Sequence, residues 1–246
     1  MRQLIPTSAE VDDAALIEAY RLPPGRWLRC NFIASLDAAV TVNGVSAGLG
    51  SPGDRRIFHI LRALADVVLV GHGTASAEGY RGIEADSAVG RLRTRLGRPA
   101  TAPIAVVSRR ASLTTDSGLV TDAVSPTVLI TCAAADPVRR AAQADAGVTV
   151  LVCGEDDVDL RLALDRLAEL GHEQVLCEGG PALLHAALAA GVVDELDLSI
   201  APALVGDGAR LLPGALPDVA RLELRQLLEE DGVLFTRYLL DAPGAR

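Results

Sequence analysis

The segment QVLCEGGPALL, residues 174–184, joins a short apolar run to two glycines and then to a helical pattern. This order predicts a buried strand, a tight turn at Gly179 and Gly180, and a helix that begins at Pro181. In α/β sheets, ligands bind at the carboxyl ends of strands, where helix N–H groups attract anions. The turn is therefore a candidate phosphate site, or else a plain strand-to-helix connection. The N–H groups that would face the phosphate belong to Ala182, Leu183 and Leu184.

Short apolar runs alternate with helical patterns in the same way along most of the chain. The predicted strands are residues 28–34, 67–70, 104–107, 128–132, 148–153 and 174–177. Helical patterns lie at residues 57–65, 160–167 and 181–190. We therefore expect an α/β fold with a mostly parallel central sheet and helices on both faces. The run at 67–70 also ends in glycines, as Gly71-His72-Gly73-Thr74, which is a weaker signal because glycine is common in turns.

The C-terminal third predicts antiparallel strands. Apolar and polar residues alternate around residues 196–200, and two further apolar runs flank the turn pair Asp231-Gly232. An antiparallel hairpin should therefore extend the parallel sheet, and its exposed edge invites pairing with a second copy. Residues before 28 form a polar lead-in, and no linker composition interrupts the chain. We expect one domain over 1–246, with its motifs within about 28–240.

Composition excludes several function classes. The net charge is −9, and all 23 basic residues are arginine, so lysine-dependent phosphate loops and Schiff bases are excluded. An acidic chain is a poor nucleic-acid binder. The four cysteines form no CxxC and the four histidines no metal spacing, so we expect buried thiols and no metal. Without a signal peptide pattern or a membrane-length apolar run, a cytoplasmic protein with no membrane partner is expected.

Candidate polar residues lie at the ends of other predicted elements. A capped helix start is predicted at Ser51, Pro52 and Asp54. This capping role competes with a functional role for Asp54. Arg62 lies two turns further along a similar face. After the strand at 104–107, the sequence Ser108-Arg109-Arg110 suits a phosphate, or is a loop of solvated arginines.

The longest irregular stretch, residues 79–103, carries four closely spaced arginines. A solvated helix is the simplest interpretation because runs of charge usually face water. A partly mobile loop near the active site is the alternative. The arginines in question are Arg91, Arg93, Arg95 and Arg98.

Three ordered strings resemble one known family. The first is NFIASLD at 31–37, followed by Gly44, Ser46 and the SPGDRR segment that leads to Arg62. The second is residues 66–80, and the third is EGGPALL at 178–184 followed by residues 193–202. Together they resemble the reductase domain of riboflavin biosynthesis, in its stand-alone actinobacterial form. That domain is often fused to a zinc deaminase, whose zinc signature does not occur in this sequence.

The resemblance implies a dihydrofolate-reductase-like fold, a homodimer and NADPH as hydride donor. It implies that 5-amino-6-(5-phosphoribosylamino)uracil is reduced to the ribitylamino product. Asp54 is the implied catalytic carboxylate. The implied substrate contacts are Asn31, Ser46, Arg62 and Glu178, with Arg62 suited to the phosphate. The implied cofactor contacts are Ile33 or Ala34 beside the nicotinamide, Ser108 and Arg109 at the 2′-phosphate, and Gly71, Gly73, Thr74, Glu78, Gly179, Gly180, Pro181, Ala182, Leu183 and Leu184.

Two positions depart from the family pattern. Ala38 stands where the family usually has glycine, which predicts a different turn near the nicotinamide. His72 stands where a small residue is usual, and its side chain would narrow the cofactor site or point outward. Two alternatives stay open: a dihydrofolate-reductase-like pterin reductase with the same fold, and an NADPH-binding protein without turnover, which these departures favour.

Overall fold

Seven parallel strands form the larger part of one sheet, and four antiparallel strands extend it at one side. The computed structural model describes residues 1–240. Within them the strand order is β2-β1-β10-β11-β9-β3-β8-β4-β5-β6-β7. The strands are β1 (Arg2–Ile5), β2 (Ala9–Glu10), β3 (Trp27–Ser35), β4 (Val67–Gly71), β5 (Ile104–Val107), β6 (Val128–Thr131), β7 (Thr149–Val152), β8 (Gln174–Cys177), β9 (Glu195–Ala201), β10 (Leu222–Glu230) and β11 (Val233–Leu240). Every strand predicted from an apolar run is present, so the mostly parallel α/β sheet is confirmed.

The helices cover both faces of this sheet. They are α1 (Asp13–Ala19), α2 (Pro52–Leu64), α3 (His72–Ala77), α4 (Ala88–Arg95), α5 (Gly118–Thr121), α6 (Pro137–Asp145), α7 (Leu160–Glu169) and α8 (Pro181–Ala189), and a short 3-10 turn spans Ser46–Gly48. Alternate residues of β4 supply the two cores: Val68 and Val70 pack with α2, and Val67 and Leu69 with α7 and α8. This alternation explains the continuous apolar run of a strand buried on both faces.

The C-terminal hairpin is also confirmed. β10 and β11 pair antiparallel through the turn at Asp231 and Gly232, and both turn residues have positive φ angles. Two positive φ angles define the tight turn that suits the twist of a hairpin. β11 then pairs antiparallel with β9, which joins the hairpin to the parallel strands.

The expectation of a fully exposed hairpin edge is wrong. The lead-in, treated as a polar segment from sequence, forms β1, β2 and α1, and β1 pairs with β10 over Leu227–Glu229. Only part of β10 is therefore left unpaired, and the edge supports a homodimer less than expected. The lead-in lacks a periodic apolar signal because two of its elements are very short and lie at the edge of the sheet.

The arginine-rich stretch forms a helix, but one of its arginines is buried. Arg91 and Arg95 are exposed on α4, as the solvated-helix interpretation predicts, whereas only 2% of Arg93 is exposed. Its guanidinium donates to the carbonyls of Arg62, Ala65 and Pro99. Arg93 thus satisfies carbonyls at the C-terminus of α2, where the negative end of the helix favours a cation. Burial lowers the pKa of Arg93 to about 10.

Candidate active site

The two glycine turns predicted from sequence meet at the carboxyl ends of the neighbouring strands β4 and β8. The Gly71 N–H donates to the Gly179 carbonyl oxygen at 2.6 Å. A Cβ on Gly180 would overlap the Thr74 hydroxyl, and a Cβ on Gly179 would lie 2.9 Å from the Phe32 ring. Gly179 also has a φ of 98°, which favours glycine. These glycines are therefore required for the two helix starts to approach each other.

The helices that begin at these turns, α3 and α8, are not capped by a side chain. The other six α-helices in residues 1–240 have an Asp or Ser side chain that accepts a backbone N–H. These caps are Asp12, Ser51, Ser87, Ser117, Asp136 and Asp159. Gly73 lies beside open space, with nothing within 4 Å of an added Cβ. Two uncapped helix starts next to an open glycine fit the phosphates of a dinucleotide.

One part of the sequence prediction for this turn is wrong. The N–H groups of Leu183 and Leu184 donate to the Gly180 carbonyl, so they are not free for a ligand. Leu184 makes the first i to i−4 hydrogen bond of α8, and Leu183 makes a 3-10-type bond to the same carbonyl. The Ala182 N–H has no acceptor among residues 1–240 and remains available.

The Glu178 carboxylate accepts three side-chain hydrogen bonds at these strand ends. Arg62 donates to both of its oxygens, from Nε to Oε1 and from Nη2 to Oε2, each at 2.7 Å. The Tyr80 hydroxyl donates to Oε2 at 2.6 Å. The Arg62 guanidinium also lies 4.3 Å from the centre of the Phe58 ring. We call Arg62, Glu178 and Tyr80 the site cluster; the Glu178 side chain is 2% exposed and that of Arg62 is 16% exposed.

The site cluster changes the expectation for Arg62. A bidentate ion pair commits much of its guanidinium to Glu178, so a phosphate would compete with a buried carboxylate. Sequence reasoning brought both residues to one site but could not pair them, because they lie 116 positions apart. It did not identify Tyr80 as a site residue, although Tyr80 stands in the second matching string.

Asp54 lies in the first turn of α2, where the sequence left a capping role and a functional role open. Its backbone N–H donates to the Ser51 hydroxyl at 3.0 Å, so Ser51 caps α2 as predicted. Its carboxyl group does not close a capping box and lies near the side chain of Ser199 on β9. Burial raises the pKa of Asp54, while the nearby Ser199 hydroxyl and the charge of Arg55 oppose the rise. A carboxyl with a raised pKa is suited to proton transfer.

The first matching string supplies β3 and the turn after it. Asn31 and Ile33 lie opposite Asp197 and Ser199 in the pairing with β9, so they share the face that holds Asp54. Ala34 points to the other face and is buried in the core with Phe32. Of the two residues predicted beside the nicotinamide, Ile33 is therefore the one on the Asp54 face.

Ser46 and Glu78 are joined by a hydrogen bond. The Ser46 N–H donates to Glu78 Oε1 at 2.7 Å, which fixes the loop before α2 to the end of α3. Both predicted contacts are thus close to each other, one for the substrate and the other for the cofactor.

Ser108 and Arg109 follow β5, the neighbour of β4. The Ser108 hydroxyl is buried and accepts the Ser112 N–H at 2.9 Å. Arg109 is exposed, and among residues 1–240 only its Nε is engaged, by the Asp156 carbonyl at 2.9 Å. Arg109 is therefore the member of this pair that can reach an anion.

The structure gives the backbone conformation of Ala38 and the position of His72, the two departures from the family pattern. Ala38 has a φ of 64°, so it adopts the left-handed conformation that glycine would have. The predicted change of turn is therefore not required, and the alanine is held there at a cost of about 1 kcal/mol. His72 is the first residue of α3 and is half-buried.

Two negative observations complete the description of residues 1–240. No three His, Cys, Asp or Glu side chains lie together in a way that could hold a metal ion. None of the helices has the length and apolar character needed to cross a membrane. All four cysteines are buried, as predicted.

Comparison with known proteins decides the family. The sequence profile described as the RibD C-terminal domain matches residues 26–233. The chain belongs to the RibD C-terminal domain family. Reductases of this family use a nicotinamide cofactor, which fits the two uncapped helix starts.

Relatives of this RibD C-terminal domain are named as reductases. It is 32% identical over 203 residues to a 2,5-diamino-6-ribosylamino-4(3H)-pyrimidinone 5′-phosphate reductase of Methanothermobacter thermautotrophicus, covering 78% of this chain and 90% of the relative. A solved pyrimidine reductase-like protein of Corynebacterium diphtheriae has a TM-score of 0.81 and 27% identity, covering 94% of this chain and 99% of that one.

More distant structures share the fold. Acinetobacter baumannii RibD has a TM-score of 0.71 and 20% identity, and the match covers 88% of this chain and 58% of that one. These neighbours confirm the reductase fold expected from the sequence, which is dihydrofolate-reductase-like.

Proposed function

We propose that this RibD C-terminal domain reduces the ribosyl group of a phosphorylated ribosylaminopyrimidine to ribityl, with NADPH as hydride donor. The observation that carries the proposal is the site cluster next to the two uncapped helix starts, because it puts a polar substrate site beside a dinucleotide site. The reduction adds a hydride at C1′, breaks the ring C1′–O bond and adds a proton to the released oxygen. A bound nicotinamide cofactor supplies the hydride, and the protein orients the substrate and moves the proton.

The substrate contacts are proposed from the residues that the fold brings together. Glu178 and Arg62 would bind polar groups of the substrate, while Asn31 and Ser46 would line its pocket. The relatives' names favour the 2,5-diamino pyrimidinone as substrate, and the uracil predicted from the resemblance is the second candidate. The two differ at one ring substituent, an amino group or an oxygen.

NADPH is proposed over NADH because arginines follow β5. Arg109 is exposed and retains most of its donors, and a 2′-phosphate is the group of NADPH that such a fork recognises. Gly71, Gly73 and Thr74 at the start of α3, and Gly179, Gly180, Pro181 and Ala182 at the start of α8, would contact the rest of the dinucleotide. Ile33 would lie beside the nicotinamide, and Glu78 would hold the loop that closes the site.

Asp54 is the proposed proton donor. Its pKa is raised by burial, so a larger fraction of it carries a proton at neutral pH than for an exposed aspartate. We expect D54N to lower kcat by about 100-fold and to leave the Kd of NADPH within about twofold. Wild-type kcat should fall as the pH rises through the pKa of Asp54, and D54N should lack that fall. An unchanged kcat in D54N would mean that Asp54 has only a structural role, in the first turn of α2.

One set of assays tests the function as a whole. NADPH oxidation is followed at 340 nm with the 2,5-diamino pyrimidinone phosphate, the phosphoribosylaminouracil and dihydrofolate, and each assay is repeated with NADH. Turnover of either pyrimidine with a lower KM for NADPH supports the proposal. Turnover of dihydrofolate alone would establish a pterin reductase instead. Tight NADPH binding without any turnover would establish a binding protein.

The homodimer, the single-domain division of 1–246 and the cytoplasmic location remain predictions. Light scattering of the purified chain at several concentrations tests the dimer directly, and a monomer at all of them would contradict it. The acidic net charge, which argues against a nucleic-acid partner, requires a local cluster of arginines to attract these anionic ligands.

A further inference from the structure

We propose that Tyr80 is a positioning residue that acts through Glu178 and sets which oxygen of Glu178 the substrate can use. The inference rests on the proposed function and adds a residue to its substrate site. Tyr80 follows α3, after Gly79, whose φ of 62° lets the chain leave the helix sharply. The Tyr80 N–H donates to the Ala75 carbonyl at 2.9 Å, so the backbone of Tyr80 is held by the helix it follows.

The hydrogen bonds on Glu178 are unequal. Oε2 accepts two donors, Arg62 Nη2 and the Tyr80 hydroxyl, which together fill its two lone pairs. Oε1 accepts only Arg62 Nε among the described residues, so one of its lone pairs remains for a donor from the substrate. A hydroxyl of the ribosyl group or an N–H of the pyrimidine has the required chemistry.

Tyr80 also restrains the other member of the site cluster. The Arg62 guanidinium lies 5.4 Å from the centre of the Tyr80 ring and 4.3 Å from that of Phe58. Cations bind the faces of aromatic rings, so the two rings limit the positions open to this guanidinium. With both partners of Glu178 restrained, its carboxylate has one orientation in which to meet the substrate. Such preorganisation contributes to the transition state more than to ground-state binding.

The position of Tyr80 also separates its role from that of the cofactor contacts. Gly73 and Thr74 lie at the start of α3, and Tyr80 lies just past its end. A change at the Tyr80 hydroxyl should therefore alter the substrate side of the site and leave the cofactor side unchanged.

The test is the variant Y80F, with Y238F as the matched control. Tyr238 is half-buried on β11 and is not part of the site, so Y238F removes a hydroxyl elsewhere on the fold. We expect Y80F to lower kcat by about 10-fold to 100-fold, with KM and the NADPH Kd changed by less than about threefold. Y238F should keep the wild-type values. Thermal melts of all variants accompany the kinetics.

A double-mutant cycle shows whether Tyr80 acts through Glu178. In an E178Q background, measured by single-turnover NADPH oxidation, the further change Y80F should cost less than about twofold. An equal loss in both backgrounds would overturn the proposal, as would a Y80F variant with wild-type kcat. A Y80F variant that does not fold would also overturn it, because the role of the hydroxyl would then be structural. If the wild-type protein turns over no pyrimidine, the proposed function fails, and this is seen before any variant is compared.

Discussion

Within residues 1–240, two buried arginine–carboxylate clusters differ in what lies next to their carboxylates. In the site cluster, Glu178 stands just after the carboxyl end of β8, beside the glycine turns. The second group, here called the sheet cluster, joins Arg29, Glu195, Asp197 and Arg237 across the neighbouring strands β3, β9 and β11. Glu195 accepts from both arginines, at 2.7 Å from Arg29 and 2.8 Å from Arg237, and it is fully buried.

The difference indicates which buried charges are available to a ligand. The arginines of the sheet cluster also donate to the carbonyls at the end of α1, namely those of Ala19 and Tyr20. The cluster therefore connects α1 to the sheet. In the site cluster, Arg62 donates to no backbone carbonyl among residues 1–240, and Oε1 of Glu178 keeps a lone pair that none of these residues uses. We infer that the sheet cluster stabilises the fold and that the site cluster serves the reaction.

The largest expected effect is on stability, in the sheet cluster. E195Q removes the anion that lies between Arg29, which is 2% exposed, and Arg237, and leaves both with a neutral amide, so we expect a loss of about 3 kcal/mol in the free energy of unfolding. For a chain of this length the Tm should fall by about 6–12 °C. The control is E223Q: Glu223 pairs with Arg225 at the same 2.7 Å but is exposed, so the loss should be below about 0.5 kcal/mol.

The outcome that would break the comparison is a large loss of activity in E195Q. Kinetics are measured at a temperature where the variant is folded, and kcat per folded molecule should be close to that of the wild type. If E195Q loses kcat as strongly as a variant of Glu178, the two clusters do not divide stability and reaction between them.

The next effect is on activity, in the site cluster. E178Q keeps the shape of the side chain but removes the charge that orients Arg62, so we expect kcat/KM to fall by about 100-fold. The Tm should fall less than in E195Q because Arg62 is 16% exposed and can be solvated, whereas Arg29 in the sheet cluster is 2% exposed and cannot. The reverse pattern, an unstable E178Q with normal kinetics, would contradict the assignment.

The sequence predicted the site cluster in part and the sheet cluster not at all. Glu178 was predicted as a substrate contact from the family resemblance, and its position between an apolar run and a pair of glycines placed it where a strand must end and a helix must begin. No local pattern marks Arg29 or Glu195, because each lies within an apolar stretch. They are 166 positions apart in the sequence, and only the pairing of β3 with β9 brings them together. Arg93 was misread for the same reason, since its partners are carbonyl groups, which sequence patterns do not show.

A pH-dependent effect, small only near pH 4, separates the two carboxyls of the sheet cluster. Asp197 Oδ2 lies 3.1 Å from Arg29 Nε, but the single hydrogen of that nitrogen points to Glu195 Oε1, and neither oxygen of Asp197 has a hydrogen bond. Burial therefore raises the pKa of Asp197 well above its usual range, whereas the arginines lower the pKa of Glu195. We expect Glu195 to carry the charge and Asp197 to carry a proton.

D197N tests this division because asparagine has the shape of a protonated aspartate. A carboxyl whose pKa is raised by folding binds its proton more tightly in the folded state, so stability falls as the pH rises above its unfolded value of about 4. D197N should not lose stability in this way as the pH rises. Near pH 4 its free energy of unfolding should be within about 1 kcal/mol of the wild type, and at higher pH the variant should gain relative to it.

The contribution of Glu195 has the opposite sign and changes at lower pH. Its lowered pKa contributes stability that is present above an unfolded value of about 4 and is lost as the pH falls through the folded value. Urea unfolding of wild type and D197N between pH 4 and 8 gives the difference directly, since the contribution of Glu195 is common to both. A difference that stays constant over this range would mean that Asp197 is ionised in the folded protein. The sheet cluster would then hold two charged pairs, and its carboxylates would resemble Glu178 more closely than the geometry indicates.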